Sequence, residues 1–188
     1  MKGSRVEQLE REPPLNARGE AARVLVIDDE PIIREVLQDI LAREGYLTTL
    51  VPDAETGLQA IDQQEYDLII LDLMLPGLGG FEALKEIRRR DPDGVVVMIT
   101  AYGSVESAVQ GMRMGAHDYL IKPFKNEDVL RTLSTGLRHR RLLDENRSLR
   151  RALEGRARFG ELVGRSASML ELYWLIEQVV FSRSTVLV

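Results

Sequence analysis

LIILDLMLPG, which occupies residues 68–77, is the stretch that decides the fold of this chain. Its uninterrupted apolar run is typical of a strand that is buried on both faces of a parallel sheet. The run carries Asp72 near its end, and Pro76 and Gly77 then break the strand. Ligands of open α/β sheets bind at the carboxyl ends of the strands, so Asp72 is a metal ligand, a nucleophile or a helix cap. We take the nucleophile as the working interpretation.

The rest of the chain repeats this pattern on both sides of the central stretch. Further apolar runs at 24–27, 47–51, 95–99 and 119–121 predict four more strands, and apolar residues at helical spacing separate them. Strands that alternate with helices at these distances predict a parallel sheet built from βαβ units. The expected fold class is therefore α/β, a doubly wound five-stranded parallel sheet, and a long helix is expected from Asn126 onward.

Polar residues stand where four of the predicted strands end. Asp28 and Asp29 follow the first strand, Asp72 the third, Thr100 the fourth and Lys122 the fifth. Parallel strands end at one edge of a sheet, so these side chains are expected to converge. Clustered carboxylates repel each other unless a positive charge lies among them, and Mg²⁺ prefers carboxylate and carbonyl oxygens. Such a site suits phosphoryl transfer, in which positioning and charge neutralisation do most of the work.

These residues, in this order, resemble the receiver domain of two-component response regulators over about residues 23–136. The resemblance implies a flavodoxin-like receiver fold in which Asp72 is the phosphoacceptor. It also implies a Mg²⁺ ion bound directly by Asp29, Asp72 and the backbone carbonyl of Met74, with Asp28 acting mostly through water. The implied phosphodonor is a phosphohistidine on a sensor histidine kinase.

The same resemblance assigns roles near the fourth and fifth strands. Thr100 and Lys122 would contact the phosphoryl oxygens, and the peptide bond before Pro123 would be cis. Tyr119, three residues before the lysine, would be the aromatic switch that moves inward when Thr100 is drawn toward the phosphoryl group. The surface that carries the last strand and its flanking helices would then change shape and alter a homodimer, which is expected to form through a receiver face and the linker helix.

The predicted C-terminal helix carries a second periodic pattern. Leu142, Asn146, Leu149 and Leu153 follow one another at steps of four, three and four, which is the a/d spacing of a coiled coil with Asn at an a position. We interpret this segment as a dimerising linker helix, with a solvated helix surface as the alternative. Gly155 and Gly160 are expected to break the helix.

The end of the chain resembles the opening of the AAA+ domain of sigma-54-dependent activators. The resemblance rests on residues 162–166 and 184–188, and no G-x-x-x-x-G-K-[ST] motif occurs in the chain. ATP binding, DNA binding and contact with sigma-54 RNA polymerase would therefore belong to parts missing from this chain. The expected segments are a flexible N-terminal lead-in (1–22), a receiver domain (23–137), a coiled-coil linker helix (138–158) and the truncated start of an AAA+ domain (159–188).

Composition limits the other classes of function. The chain has 188 residues, a formal net charge of −5 and no cysteine, which speaks against bulk attraction to nucleic acid or membranes and against disulfides. We expect a cytoplasmic regulatory protein rather than an enzyme, with slow self-dephosphorylation because neither Met74 nor Tyr102 is a good base. A stand-alone receiver is one alternative. A phosphatase is disfavoured because Met74 replaces the usual second Asp, and a dinucleotide-binding fold because the first strand is followed by Asp-Asp-Glu-Pro.

Overall fold

The computed structural model describes residues 13–101, 105–156, 158–159 and 162–163, and the single positions 166, 168, 169 and 171. The chain divides into two compact units, Met1–Leu143 and Asp144–Val188. Among the residues described, no helix is both long and apolar enough to cross a membrane.

The first unit alternates strands with helices. In chain order these are β1 (Arg23–Ile27), α1 (Pro31–Arg43), β2 (Leu47–Val51), α2 (Ala54–Gln63), β3 (Leu68–Asp72), α3 (Gly80–Arg90), β4 (Val96–Thr100), α4 (Val105–Arg113), β5 (Asp118–Ile121) and α5 (Asn126–Arg156). The strands are parallel and lie in the order β2-β1-β3-β4-β5. The predicted five-stranded parallel sheet and the long C-terminal helix are confirmed.

The central strands are buried because helices cover both faces of the sheet. Ile70 points into one apolar layer with Leu37 of α1 and Leu133 of α5. The next residue, Leu71, points into the opposite layer with Leu84 of α3. Side chains of a strand alternate between its two faces, so an apolar run such as LIIL is needed to fill both layers. This placement fixes the direction of β3 and leaves Asp72 at its end.

Two strands end one residue later than predicted. Asp72 is the last residue of β3 and pairs with Ile99, while Thr100 is the last residue of β4 and pairs with Ile121. The apolar pattern stops at the preceding residue in each case, but the backbone ladder continues because a neighbouring strand still supplies partners. Both polar side chains are therefore held by the sheet itself rather than by a loop.

Residues 13–22, which belong to the predicted flexible lead-in, instead form a turn in front of β1. The Asn16 side-chain oxygen accepts hydrogen bonds from the backbone amides of Arg18 and Glu20 at 2.9 and 3.1 Å. The Ala22 amide donates to the Pro14 carbonyl at 2.8 Å, and Ala22 is fully buried. Asparagine stabilises turns because its side chain replaces a backbone partner, and composition alone does not reveal this.

Helix α5 passes through the predicted break at Gly155 and ends at Arg156. One glycine costs a helix only about 1 kcal/mol relative to alanine, and least near an end. Leu142, Asn146 and Leu149 are exposed, and the side chain of Leu153 lies outside the described residues. The second unit also contains a short antiparallel hairpin, β6 (Arg158–Phe159) and β7 (Leu162–Val163). The strand expected at 185–188 lies outside the described residues.

Candidate functional site

The site lies at the carboxyl edge of the parallel sheet, where the ends of β1, β3 and β5 come together. The backbone holds the flanking residues in place: the Asp28 amide donates to the Val51 carbonyl at 3.2 Å, and the Lys122 amide donates to the Thr100 carbonyl at 2.8 Å. Residues far apart in sequence are therefore brought to one edge by strand pairing. The sequence-predicted residues Asp28, Asp72 and Lys122 meet there.

Lys122 is the centre of this cluster. Its Nζ lies 2.8 Å from Asp28 Oδ2, 2.6 Å from Asp72 Oδ2 and 2.8 Å from Glu30 Oε1. The lysine side chain is only 8% exposed. Burial alone would lower the pKa of Lys122, but its ion pair with Asp28 and its hydrogen bonds with Asp72 and Glu30 outweigh burial and raise the pKa above its ordinary value. The ammonium group is thus a fixed positive charge among three carboxylates.

The Asp72 carboxylate is oriented from two sides. Oδ1 accepts a hydrogen bond from the Met74 amide at 2.9 Å, and Oδ2 accepts one from Lys122 at 2.6 Å. The side chain is almost fully buried, whereas the Met74 side chain beside it is 59% exposed. A carboxylate that is held at both oxygens cannot rotate freely, so Asp72 presents a fixed face to whatever enters the site.

The acidic residues after β1 differ from each other in burial and contacts. Asp28 is 1% exposed, and its Oδ1 accepts from the Glu30 amide at 2.9 Å. Asp28 Oδ2 lies at ion-pair distance from Lys122, yet no described group donates an aligned hydrogen bond to it. Burial raises the pKa of Asp28 because it disfavours the charged form, and Lys122 only partly offsets this effect. Asp29 is exposed at the mouth of the site.

The arrangement of these carboxylates fits a divalent cation. One oxygen from each of Asp28, Asp29 and Asp72 lies within 4.8 Å of the others. Hard cations such as Mg²⁺ take carboxylate oxygens and keep several waters. The buried Asp28 oxygen without an aligned donor is the kind of group that a cation or its water shell would satisfy. The residues present therefore fit the metal that the sequence resemblance implies.

Thr100 and Tyr119 lie on β4 and β5, the strands that follow β3 in the sheet. Thr100 is fully buried at the end of β4. Tyr119 is half-buried on β5, and its hydroxyl lies 3.2 Å from the Ser107 hydroxyl on α4. The peptide bond between Lys122 and Pro123 is cis.

Two residues of this region were absent from the sequence-based site. Glu30 contacts Lys122 directly, and Ser107 contacts Tyr119. The sequence holds no clear signal for Glu30, because acidic side chains are also favourable at a solvent-exposed helix start. The sequence holds no signal for Ser107, since its contact depends on how α4 packs against β5.

Glycine at position 80, at the start of α3, is required where the helix passes close to the backbone at the end of β3. A Cβ atom at Gly80 would overlap the Asp72 carbonyl oxygen and lie 2.6 Å from Leu73 Cα, and both are backbone atoms. A Cβ at the neighbouring Gly79 would meet only the flexible end of Glu82.

We expect Gly80→Ser to lower the free energy of unfolding by about 3 kcal/mol because the strand end must shift. Gly79→Ser is the matched control, and we expect it to be near neutral because serine is a favoured N-cap. Urea denaturation of both variants tests this, and equal stabilities would contradict the role of the close approach.

Burial of Asp28 also gives the protein a pH dependence. The folded-state pKa is raised, so the charged form costs stability above that pKa, and the cost disappears as the pH falls below the ordinary aspartate value. We expect Asp28→Asn to raise the free energy of unfolding at pH 7.5 in chelator and to raise it less near pH 4. Chemical denaturation across this pH range measures the difference, and a gain as large at pH 4 as at pH 7.5 would be inconsistent with this origin.

Comparison with known proteins places this chain in a family. The family model described as response regulator receiver domain matches residues 24–134, more than half of the chain. The chain is 37% identical over 167 residues to the C4-dicarboxylate transport transcriptional regulatory protein DctD of Pseudomonas aeruginosa, covering 88% of this chain and 36% of that protein. It is 30% identical over 166 residues to the regulatory protein AtoC of Escherichia coli, covering 88% of this chain and 36% of that one. The chain thus spans little more than a third of the length of either regulator.

Solved structures agree with this assignment. A CheY-like response regulator receiver domain protein from Methanospirillum hungatei matches with a TM-score of 0.61 and 30% identity, covering 63% of this chain and 95% of that one. NtrX from Brucella abortus matches with a TM-score of 0.66 and 37% identity, covering 84% of this chain and 34% of that one. The chain therefore belongs to the response regulators of two-component systems, and it contains their receiver domain, a regulatory module that takes up a phosphoryl group from a histidine kinase.

Proposed function

We propose that Asp72 is the phosphoacceptor of this receiver domain. The observation that carries the proposal is the convergence of Asp72 and Asp28 on the buried Lys122 ammonium at the carboxyl edge of the sheet. A nucleophilic carboxylate must approach a phosphorus atom whose oxygens carry negative charge, and a fixed cation beside it reduces the repulsion. Lys122 provides that cation at 2.6 Å from Asp72 Oδ2.

The transfer exchanges one bond to phosphorus for another. An oxygen of Asp72 forms a bond to phosphorus while the P–N bond of a phosphohistidine breaks. The electron pair of the broken bond goes to the leaving imidazole nitrogen, which takes a proton from water. The product is an acyl phosphate on Asp72. Lys122 and the hydroxyl of Thr100 would contact phosphoryl oxygens, and their position at the same sheet edge supports this role.

Asp28, Asp29, Asp72 and the carbonyl of Met74 would hold Mg²⁺, with Asp28 acting mostly through water. When bound, the ion supplies positive charge that neutralises the phosphoryl oxygens. The support in this chain is the close set of three carboxylates and the buried Asp28 oxygen that lacks an aligned donor. The three carboxylates would hold the ion, and the exposed Asp29 would lie on its solvent side.

The phosphorylated state would act as a conformational switch. Movement of Thr100 toward the phosphoryl group would open space for Tyr119, whose hydroxyl contacts Ser107 on α4. The result is a population shift between two packings of α4 and β5, biased by contacts to the phosphoryl oxygens. Self-dephosphorylation would be slow because the Met74 side chain at the mouth cannot act as a base; Tyr102, the other residue expected to affect lifetime, lies outside the described residues.

In its cellular setting the domain would receive its phosphoryl group from a sensor histidine kinase in the cytoplasm. A homodimer through a receiver face and the linker helix would transmit the change to an AAA+ activator of sigma-54 RNA polymerase bound to DNA. The exposed leucines 142 and 149 of α5 support the dimer, because they leave an apolar stripe at coiled-coil spacing. The similarity to longer regulators such as DctD supports the larger context.

A small phosphodonor tests the acceptor directly. Incubation with acetyl phosphate and Mg²⁺ should add the mass of one phosphoryl group, and a chelator should prevent it. Borohydride reduction of the acyl phosphate, followed by peptide mapping, should place the modification in the peptide that contains Asp72. A label on Asp28 or Asp29, or labelling that does not depend on Mg²⁺, would overturn the proposal.

A further inference from the structure

Glu30 is the one member of the lysine cluster that the proposed phosphoryl chemistry does not use. It stands directly before Pro31, at the N-cap of α1, and its backbone amide already donates to Asp28 Oδ1. Its side chain nevertheless turns toward the site and accepts a hydrogen bond from Lys122 Nζ at 2.8 Å. An N-cap carboxylate usually accepts from its own helix, but Glu30 makes no such capping bond. The side chain is therefore placed by Lys122 rather than by the helix.

The number of donors on Lys122 makes Glu30 a competitor. An ammonium group has three N–H bonds; Lys122 donates hydrogen bonds to Glu30 and Asp72, and Asp28 Oδ2 lies 2.8 Å from Nζ without an aligned hydrogen bond. Three carboxylate oxygens therefore surround Nζ, and a phosphoryl oxygen that binds there takes the place of one of them. Asp28 and Asp72 are buried and held by backbone amides, whereas the Glu30 side chain is 56% exposed. Glu30 is the carboxylate that can leave at the smallest cost, because water can solvate it.

We propose that Glu30 is a positioning residue that holds Lys122 in the unphosphorylated site and is displaced by the incoming phosphoryl oxygen. Its contact lowers the affinity of the site for a phosphoryl group, since each phosphorylation must first break the Glu30–Lys122 ion pair. The inference rests on the proposed function of Asp72 and Lys122. It adds a residue that sets the affinity of the site for a phosphoryl group.

The test measures two affinities by calorimetry: that for Mg²⁺ alone, and that for beryllofluoride, a phosphoryl mimic, at saturating Mg²⁺. Glu30→Gln should bind beryllofluoride about two- to fivefold more tightly, the range expected for loss of a partly exposed ion pair. Its affinity for Mg²⁺ alone should not rise. The matched control is Glu35→Gln, which removes the same charge from an exposed position on α1 and should bind both ligands as the wild type does.

The Glu30→Asp variant distinguishes the direct contact of Glu30 with Lys122 from the effect of its negative charge. Glu30→Asp keeps the negative charge but shortens the side chain by one methylene group, so it should also tighten beryllofluoride binding. The inference fails if Glu30→Asp binds beryllofluoride as the wild type does and the effect of Glu30→Gln disappears in high salt. A long-range effect of negative charge near the site would then explain the data. A loss of about tenfold in Mg²⁺ affinity in Glu30→Gln would identify a metal-supporting residue instead and would also overturn it.

The two proposals fail in distinguishable ways. If the wild type does not bind beryllofluoride in the presence of Mg²⁺, the proposed function itself is wrong. If the wild type binds it and Glu30→Gln is indistinguishable from Glu35→Gln, only the role of Glu30 is wrong.

Discussion

Replacement of Asp72 by asparagine is expected to abolish phosphorylation by small phosphodonors while leaving the protein folded. The amide is nearly the same size and can still accept a hydrogen bond from the Met74 amide, as the Oδ1 atom of Asp72 does. It has no negative charge and is a poor nucleophile toward phosphorus, so no acyl phosphate can form. Intact-mass measurement after incubation with acetyl phosphate and Mg²⁺ should show no added phosphoryl group.

The same substitution is expected to stabilise the fold in the absence of metal. Asp28 and Asp72 are both buried and both approach Lys122. Removal of one charge relieves their mutual repulsion, while Lys122 keeps Asp28 and Glu30 as partners. The free energy of unfolding at pH 7.5 in chelator should therefore rise, so a loss of labelling cannot be attributed to unfolding.

Asp39→Asn supplies the control for Asp72→Asn, since Asp39 is exposed on α1. It should be labelled to the same extent as the wild type and show unchanged stability. Stoichiometric labelling of the Asp72→Asn variant would show that another residue is the acceptor. Labelling of neither variant would show that a surface charge, rather than the nucleophile, decides the reaction.

The layout of the site could be predicted because it depends on features that a sequence displays. The run LIIL at 68–71 requires burial on both faces, and parallel strands must end at a common edge. Asp28, Asp72 and Lys122 stand immediately after or at the end of such strands, so their meeting follows from the topology. The strand ends were harder to predict: the ladder between β4 and β5 keeps Thr100 in the sheet, although the apolar pattern stops before it.

The contacts that could not be predicted depend on side-chain choice or on packing between elements. Glu30 is one of three consecutive acids, and its turn into the site depends on the position of Lys122, which comes from a distant strand end. Ser107 meets Tyr119 because α4 packs against β5 at one particular height. The turn stabilised by Asn16 lies in a segment whose composition is typical of flexible chain. Each of these contacts depends on the choice of one polar partner. Hydrophobic periodicity carries no information about such polar contacts, whether the partner is distant in sequence or nearby.

Lys122→Met is expected to produce the largest loss of stability among substitutions in the site. Methionine keeps much of the length of the lysine side chain but removes the only cation that approaches the buried carboxylates Asp28 and Asp72 in the described part of the site. Removal of one partner from a buried charge cluster leaves uncompensated charges and costs about 3–5 kcal/mol. Urea denaturation at pH 7.5 in chelator should show a decrease of this order in the free energy of unfolding.

Low pH and Mg²⁺ should each restore much of the free energy of unfolding that the Lys122→Met variant loses. Without the lysine, the folded-state pKa of Asp28, which burial already raises, rises further, so the destabilisation is full at neutral pH and diminishes as the pH falls toward the ordinary aspartate pKa. Mg²⁺ should stabilise the variant more than the wild type, because the ion replaces the missing positive charge and no longer competes with Lys122. Phosphorylation should stay defective even with Mg²⁺, because the phosphoryl oxygens lose their ammonium partner.

Lys125→Met is the matched control for the lysine substitution, as Lys125 is exposed three residues further along the chain. Its stability and its response to pH and Mg²⁺ should equal those of the wild type. If Lys122→Met is as stable as Lys125→Met in chelator at pH 7.5, the ammonium group does not compensate the buried carboxylates. The charge balance on which the phosphoacceptor assignment depends would then have to come from elsewhere, because two buried aspartates cannot both stay ionised at neutral pH without a nearby cation.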